Sequence, residues 1–242
     1  MAIFYRPNGT MTPNINKTVL FVFSLSATIE AERKPLFGVN KKNVSKEFFR
    51  LLNKKTLKVA KNSGVDVVWI DETQQKGNTF HERYSNAYQS LFDQGYENVI
   101  SIGNDTPNLT SNHITNAIKS LSHQQLVFGP SKDGGVYLLG YTKKAFDKKA
   151  FSNFSWLTSK LSNEIEDFAI QKELSFSVLE TLEDIDSKKN ALEFAYTNSK
   201  LTIALYILFH LTSVKTEYEN NTVDFTSNIL LHNSLLRGPP TL

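Results

Sequence analysis

Short apolar runs alternate with longer amphipathic stretches along most of the chain, and this pattern predicts an α/β fold. The short runs are rich in β-branched and aromatic residues, as buried strands are. In the longer stretches apolar residues recur every three or four positions, which is typical of helices. The predicted strands cover 18–23, 65–70, 99–102, 125–128, 136–139 and 176–179. The predicted helices cover 40–62, 80–94, 114–121, 158–172 and 187–197.

Strands that alternate with helices imply a largely parallel sheet covered on both faces. We expect one domain over residues 17–198, preceded by a loose arm over 1–16 that is rich in proline and asparagine. Residues 199–242 break the alternation and predict a helical C-terminal extension. The apolar residues within 229–236 make a homodimer possible.

Composition narrows the class of protein. A chain of 242 residues is long enough for a sizeable core. The net charge of +3 and the absence of a basic stripe speak against nucleic-acid binding. The absence of cysteine excludes disulfides and thiolate chemistry and fits a cytoplasmic protein. The apolar runs at 19–23 and 201–211 are too short for a secretion signal or a membrane span.

The first candidate site is the turn Gly103-Asn104-Asp105-Thr106-Pro107, which follows an apolar strand. In parallel sheets, ligands collect at the carboxyl ends of strands. Mg²⁺ prefers hard oxygen ligands and often takes only one or two protein carboxylates. Asp105 is therefore a candidate metal ligand, with an Asx-turn that caps the following loop as the alternative.

The second candidate site is the turn Gly129-Pro130-Ser131-Lys132-Asp133-Gly134-Gly135 between two predicted strands. Asp-Gly-Gly is also a plain hairpin turn, so Asp133 has a structural interpretation as well. Gly134 and Gly135 permit unusual backbone angles and a close approach of a ligand. Two acidic turns on neighbouring strands can share one Mg²⁺ or Mn²⁺ ion, which suits a nucleotide diphosphate.

Further candidate residues each have a structural alternative. Thr79 and Glu82 have the spacing of a helix capping box. Arg83 suits a phosphate or a carboxylate, or is an exposed helix residue. Trp156 either stacks on a ligand ring or anchors the core. His81, at the start of the same helix, is either a base or ligand or a surface residue.

The two turns together resemble a bacterial family of uncharacterised glycosyltransferase-like proteins of the radical-SAM/selenodomain-associated transferase type. The resemblance rests on residues 99–110 and 127–140, whose motifs are Gly-Asn-Asp-Thr-Pro-Asn-Leu and Gly-Pro-Ser-Lys-Asp-Gly-Gly. The helix start at 77–87 and the segment 154–156 are also similar to the family pattern. The similarity extends over about 17–195.

This resemblance implies a three-layer, Rossmann-like glycosyltransferase A fold with a mostly parallel mixed sheet. It implies transfer from a nucleotide sugar or another activated nucleotide to an unknown acceptor, with Mg²⁺ or Mn²⁺ bound by Asp105. It makes Asp133 the candidate catalytic residue. The candidate substrate-binding residues are Asn104, Gly134, Gly135, Arg83 and Trp156.

The loop 24–36 departs from the family pattern. Family members have a loop rich in Pro, Gly and Lys at this point, whereas here it lacks glycine and contains two glutamates. Arg33 and Lys34 are the available replacements for the basic pair, and Val136 replaces a tyrosine of the family. Two alternatives therefore stand beside a transferase: a catalytically degenerate binding or scaffold protein, and a nucleotidyltransferase, for which the missing basic loop matters most.

Overall fold

The computed structural model of the protein describes residues 3–5 and 18–212. Within them, seven strands form one sheet in the order β1-β3-β2-β4-β6-β5-β7. The strands are β1 Ile3–Tyr5, β2 Thr18–Phe23, β3 Asp66–Ile70, β4 Asn98–Ile102, β5 Leu126–Pro130, β6 Val136–Thr142 and β7 Phe176–Val178. Only β1 and β6 run antiparallel to their neighbours. The mostly parallel mixed sheet is thereby confirmed.

Helices cover both faces of the sheet. They are α1 Ala27–Arg33, α2 Lys42–Lys61, α3 Phe80–Asp93, α4 Ser111–Ser120, α5 Lys148–Asn153, α6 Leu161–Gln171, α7 Lys188–Thr197 and α8 Thr202–Thr212. No helix in the described part of the chain is long and apolar enough to cross a membrane.

Strand β2 shows why apolar and polar residues do not alternate along the predicted strands. Val19 and Phe21 belong to the apolar cluster that contains α3, α5 and α6, whereas Leu20 and Val22 belong to the cluster with α2 and α4. Both faces of the strand are therefore buried, which is the usual situation in parallel sheets flanked by helices. The three-layer α/β architecture is confirmed by this packing.

A third apolar cluster joins α1, α2, α7 and α8. Ile203, Ala204 and Ile207 of α8 are buried in it together with Phe48 and Phe49 of α2. The first part of the C-terminal extension is thus helical and shares a core with the preceding residues. The boundaries 17–198 and 199–242 remain predictions, and the apolar residues within 229–236 lie outside the described residues.

Three elements differ from the sequence-based expectation, and one of them is the short helix α5, which lies where no element was expected. Residues 3–5, within the segment expected to be a loose arm, pair antiparallel with β3 as an edge strand. The departing loop 24–36 contains α1, in which Ala31 is buried in the third cluster. Burial against α2 stabilises a helix that is too short to show clear periodicity in the sequence.

The topology brings the predicted turns to one edge of the sheet. β2, β4, β5 and β7 are mutually parallel, and their carboxyl ends lie at this edge. Antiparallel β6 begins there and follows the second turn directly. Loops from distant parts of the sequence therefore meet at this edge.

Candidate functional site

A cleft of about 360 Å³ opens at the carboxyl edge of the sheet. Six of the seven predicted site residues line it: Arg83, Asn104, Asp105, Asp133, Gly135 and Trp156. Loop 24–36 contributes Glu30, Arg33 and Lys34, and the segment after β7 contributes Asp184 and Asp186. The lining combines these charged residues with aromatic side chains, among them Phe80 and Tyr84.

Asp105 and Asp186 meet at a single ammonium group. Lys34 donates to Oδ2 of Asp105 at 2.8 Å and also donates to Oδ1 of Asp186. All three side chains are partly exposed to the cleft. Burial alone would lower the pKa of Lys34, but the carboxylates of Asp105 and Asp186 outweigh it and raise the pKa above its usual value. Lys34 therefore stays positively charged here.

Asp184 is the half-buried member of the acidic group. Its carboxyl accepts hydrogen bonds from the hydroxyls of Ser131, at 2.7 Å, and of Thr106. Burial, followed by the nearby charge of Asp105, raises the pKa of Asp184 to about 7. Asp184 thus ties the loops that follow β4 and β5 to the segment that follows β7.

The backbone supports the same junction. The amide of Ile185 donates to the carbonyl oxygen of Asp105 at 2.9 Å. Ser131 and Leu182 form a parallel bridge just beyond β5 and β7. This extended continuation of β7 carries Asp184 and Asp186 to Asp105, although they lie far apart in the sequence.

Asp133 forms the turn that its sequence predicts. Its Oδ1 accepts from the amide of Gly135 at 3.0 Å, and its side chain is exposed in the cleft. Gly134 has φ +89°, and a Cβ there would lie 2.1 Å from the carbonyl oxygen of Ser159. Gly134 is therefore required by the packing of its turn against the loop before α6.

Helix α1 places a carboxylate where phosphate-binding residues are expected. Glu30 is buried in the wall of the cleft, and its Oε2 has no hydrogen-bond partner among the described residues. Burial raises the pKa of Glu30, although the neighbouring charge of Lys34 acts in the opposite direction. Arg33, at the end of the same helix, also lines the cleft.

Helix α3 begins with the predicted capping box between Thr79 and Glu82. Arg83 follows in the first turn and lines the cleft. Its Nη1 makes a long contact of 3.4 Å with the carbonyl oxygen of Asn78, and its buried Nε has no partner among the described residues. Arg83 is thus held at the cleft with unused hydrogen-bonding capacity. Asn104, by contrast, is buried and donates to Oδ1 of Asn53 at 2.7 Å.

Trp156 both anchors the core and lines the cleft. Its indole N–H donates to the carbonyl oxygen of Phe151 at 2.7 Å. Its ring lies 5.8 Å from that of Phe80 and 5.1 Å from that of Tyr84, measured between centroids. Leu157 beside it is 72 % exposed and adopts φ +64°. Trp156 and Leu157 therefore supply apolar surface to the cleft.

Asp105 and Asp186 together offer carboxylate oxygens of the kind that a divalent cation binds. No group of three or more His, Cys, Asp or Glu side chains within 3–5 and 18–212 is arranged to hold a metal alone. Mg²⁺, however, is commonly bound by one or two carboxylates with phosphate oxygens and water. The ammonium of Lys34 shows that one cation can lie against both carboxylates.

Sequence reasoning missed Asp184 and Asp186. The signal was present, because four acidic residues crowd the segment 180–186 directly after a predicted strand. The rule that singled out Asp105, a carboxylate just past a strand of the sheet, applies equally here.

Comparisons with known proteins agree with the fold. Residues 53–158 match the model of a family described as "Uncharacterized protein conserved in bacteria (DUF2064)". This range includes both acidic turns, the start of α3 and Trp156. No functionally curated protein matches the sequence.

Among solved structures, a protein of Desulfovibrio desulfuricans G20, provisionally assigned as a nucleotide-diphospho-sugar transferase, is similar with a TM-score of 0.66 at 18 % identity. The match covers 92 % of this chain and 97 % of that one. CMP:2-keto-3-deoxy-manno-octonic acid synthetase, solved with CTP, matches with a TM-score of 0.45 at 9 % identity, over 76 % of this chain and 99 % of that one.

Rv0371C of Mycobacterium tuberculosis H37Rv, solved with manganese, matches with a TM-score of 0.36 at 9 % identity, over 72 % of this chain and 95 % of that one. The last two likenesses are weak, and the assignment of fold rests on the first. The similarity to the DUF2064 family therefore covers residues 53–158, and the chain has the same fold as the Desulfovibrio desulfuricans protein.

Proposed function

We propose that this protein is a metal-dependent transferase that acts on a nucleotide-activated donor, with a nucleotide sugar as the preferred class. The observation that carries the proposal is the convergence of Asp105 and Asp186 on one cation at the carboxyl edge of the sheet. This edge is where open α/β sheets bind their ligands. In this proposal the two carboxylates hold Mg²⁺ or Mn²⁺.

The basic residues of the cleft support binding of a diphosphate. Arg33, Lys34 and Arg83 all line it, and the guanidinium of Arg83 has a buried N–H without a partner among the described residues. An arginine fork matches the geometry of phosphate oxygens. A bound divalent cation would supply charge neutralisation for the diphosphate leaving group.

The aromatic residues of the cleft support binding of a ring. Trp156 and Phe80 present aromatic surface to the cleft, which suits a nucleobase or the apolar face of a sugar. Asp133 is exposed nearby, so we assign it the task of orienting the acceptor hydroxyl or accepting its proton. Asn104 and Gly135 complete the lining, and Gly134 shapes the turn that carries Asp133.

Glu30 favours a diphosphate donor over a triphosphate. Its buried carboxylate lines the cleft from loop 24–36, where related proteins hold phosphate with basic residues. A triphosphate carries more negative charge that must be neutralised near this carboxylate. The nucleotidyltransferase alternative is therefore the less favoured of the two enzymatic functions.

The test is release of nucleoside diphosphate from UDP-, GDP- and CDP-sugars in the presence of Mn²⁺. We expect slow release with one of these donors, reduced at least about 100-fold in Asp105→Asn because charge stabilisation in the transition state is lost. Glu183→Gln is a matched control, since this acid lies beside Asp184 but pairs with Lys132. Its activity should remain near that of the wild type.

Three outcomes would contradict the proposal. Unchanged release of nucleoside diphosphate by Asp105→Asn would show that Asp105 does not hold a catalytic metal ion. Binding of a nucleotide without any turnover would favour the degenerate binding protein. Release of pyrophosphate from a nucleoside triphosphate would instead favour a nucleotidyltransferase.

A further inference from the structure

We propose that Lys34 is a resident counter-cation that excludes free divalent ions from Asp105 and Asp186 until a phosphate-bearing ligand draws it away. Metal and donor would then bind as a cooperative pair. The inference rests on the proposed function and adds a rule of binding order and cation selectivity to the same site.

The geometry makes Lys34 and a metal ion mutually exclusive. The ammonium lies 2.8 Å from Oδ2 of Asp105 and within hydrogen-bond distance of Oδ1 of Asp186. Mg²⁺ binds carboxylate oxygens at about 2.0–2.1 Å, so an ion held by the same two oxygens needs the space that Lys34 Nζ fills. The two cations would also repel each other strongly at such a separation.

The position of Lys34 is imposed by the fold. Lys34 directly follows α1, and its backbone amide donates to the carbonyl oxygen of Glu30 at 2.8 Å. Ala31 of the same helix is buried in the third apolar cluster, which fixes α1 against α2. The ammonium is thus delivered from a packed helix, and its side chain is only 23 % exposed.

A diphosphate removes the obstacle that a free metal ion meets. A free metal ion must displace the ammonium of Lys34 from Asp105 and Asp186. The ammonium then has neither of its two carboxylate partners. A diphosphate offers Lys34 a new anionic partner and offers the metal further oxygen ligands. Each ligand therefore lowers the cost of binding the other, which is positive coupling between two sites.

The first test is calorimetric titration of Mn²⁺ into the full-length protein without nucleotide. We expect Lys34→Met to bind Mn²⁺ at least about tenfold more tightly than the wild type, because the competing cation is gone. Lys132→Met is the matched control. Lys132 borders the same acidic region but pairs with Glu183, so its removal changes the local charge equally without freeing Asp105 or Asp186.

The second test measures coupling. In the wild type, UDP, GDP or CDP should tighten Mn²⁺ binding, and this gain should shrink in Lys34→Met. Lys34→Arg keeps the positive charge, so its Mn²⁺ affinity should stay closer to that of the wild type than to that of Lys34→Met. Circular dichroism establishes that each variant is folded, and the wild-type coupling alone decides the matter if Lys34→Met does not fold.

Equal Mn²⁺ affinity in the wild type and Lys34→Met would overturn the inference. It would also be overturned if Lys132→Met gained as much Mn²⁺ affinity over the wild type as Lys34→Met does. Absence of Mn²⁺ binding in both proteins, or of coupling in the wild type, would overturn it too. These results are separate from the proposed function, which is judged by turnover. Competition at Asp105 without any turnover would leave the inference standing and refute the enzyme.

Discussion

Asp184 shows how burial sets the behaviour of one carboxyl group in this cleft. It is enclosed by Ser131 and Thr106, whose hydroxyls favour the ionised form, yet burial and the charge of Asp105 dominate and raise its pKa to about 7. The raised pKa means that the folded protein binds a proton at this residue more tightly than the unfolded chain does. Folding is therefore linked to pH through Asp184.

The direction of this linkage is specific. The contribution of protonated Asp184 to stability is fully present below its unfolded pKa of about 4, and it is lost as the pH rises through about 7. Asp184→Asn cannot ionise, so we expect the variant to gain stability over the wild type as the pH increases from 4.5 to 8. The gain should reach at most about 4 kcal/mol, since one pKa unit corresponds to about 1.4 kcal/mol.

Urea denaturation in the presence of EDTA at several pH values measures this effect without interference from metal ions. The free energies of unfolding of the two proteins should lie closest together at the acidic end of the series. A constant difference across the series would contradict the assignment of a raised pKa to Asp184.

At the scale of elements, the turn around Asp133 depends on a glycine that packs against another loop. Gly134 combines a left-handed φ with a close approach to the main chain of Ser159. In addition, the backbone amide of Ser162 donates to the carbonyl oxygen of Gly134 at 3.0 Å. This junction fixes the turn that carries Asp133 relative to Trp156. It belongs to the wall of the cleft as well as to the fold.

We expect Gly134→Ala to lower the free energy of unfolding by about 2–4 kcal/mol, because backbone strain adds to a clash with the main chain. Gly95→Ala is the matched control. Gly95 also has a positive φ, but a Cβ there meets nothing within 4 Å, so only the conformational cost of about 1 kcal/mol should appear. Equal losses in the two variants, measured by urea denaturation, would show that the contact with Ser159 is unimportant.

The long elements could be predicted from the sequence because their periodicity reflects burial directly. The six predicted strands and the long helices appear near their expected bounds, and the capping box of Thr79 and Glu82 is present. The short elements α1 and β1 were not predicted, because they are defined by contacts with α2 and β3 rather than by a local sequence pattern. The acidic residues Asp184 and Asp186 were not predicted as site residues for a similar reason. A parallel bridge between distant segments places them beside Asp105.

At the scale of the whole molecule, the sheet order explains why one cleft collects all these groups. Strands β2, β4, β5 and β7 point the same way, so loops from four parts of the chain end at one edge. The two sequence motifs predicted two of those loops, around Asp105 and Asp133. The remaining two supply Glu30 with Lys34, and Asp184 with Asp186, which make the cleft more acidic than the motifs alone suggest.

The central claim is that Asp105 and Asp186 hold a divalent cation that binds together with a nucleotide diphosphate. Calorimetric titration of UDP, GDP and CDP into the wild type and Asp105→Asn, each with Mn²⁺ and with EDTA, tests it most directly. We predict that at least one nucleotide binds the wild type with Mn²⁺, and that its affinity falls at least about tenfold in EDTA or in Asp105→Asn. Failure of all three nucleotides to bind, or binding that is indifferent to both Mn²⁺ and Asp105, would contradict the claim.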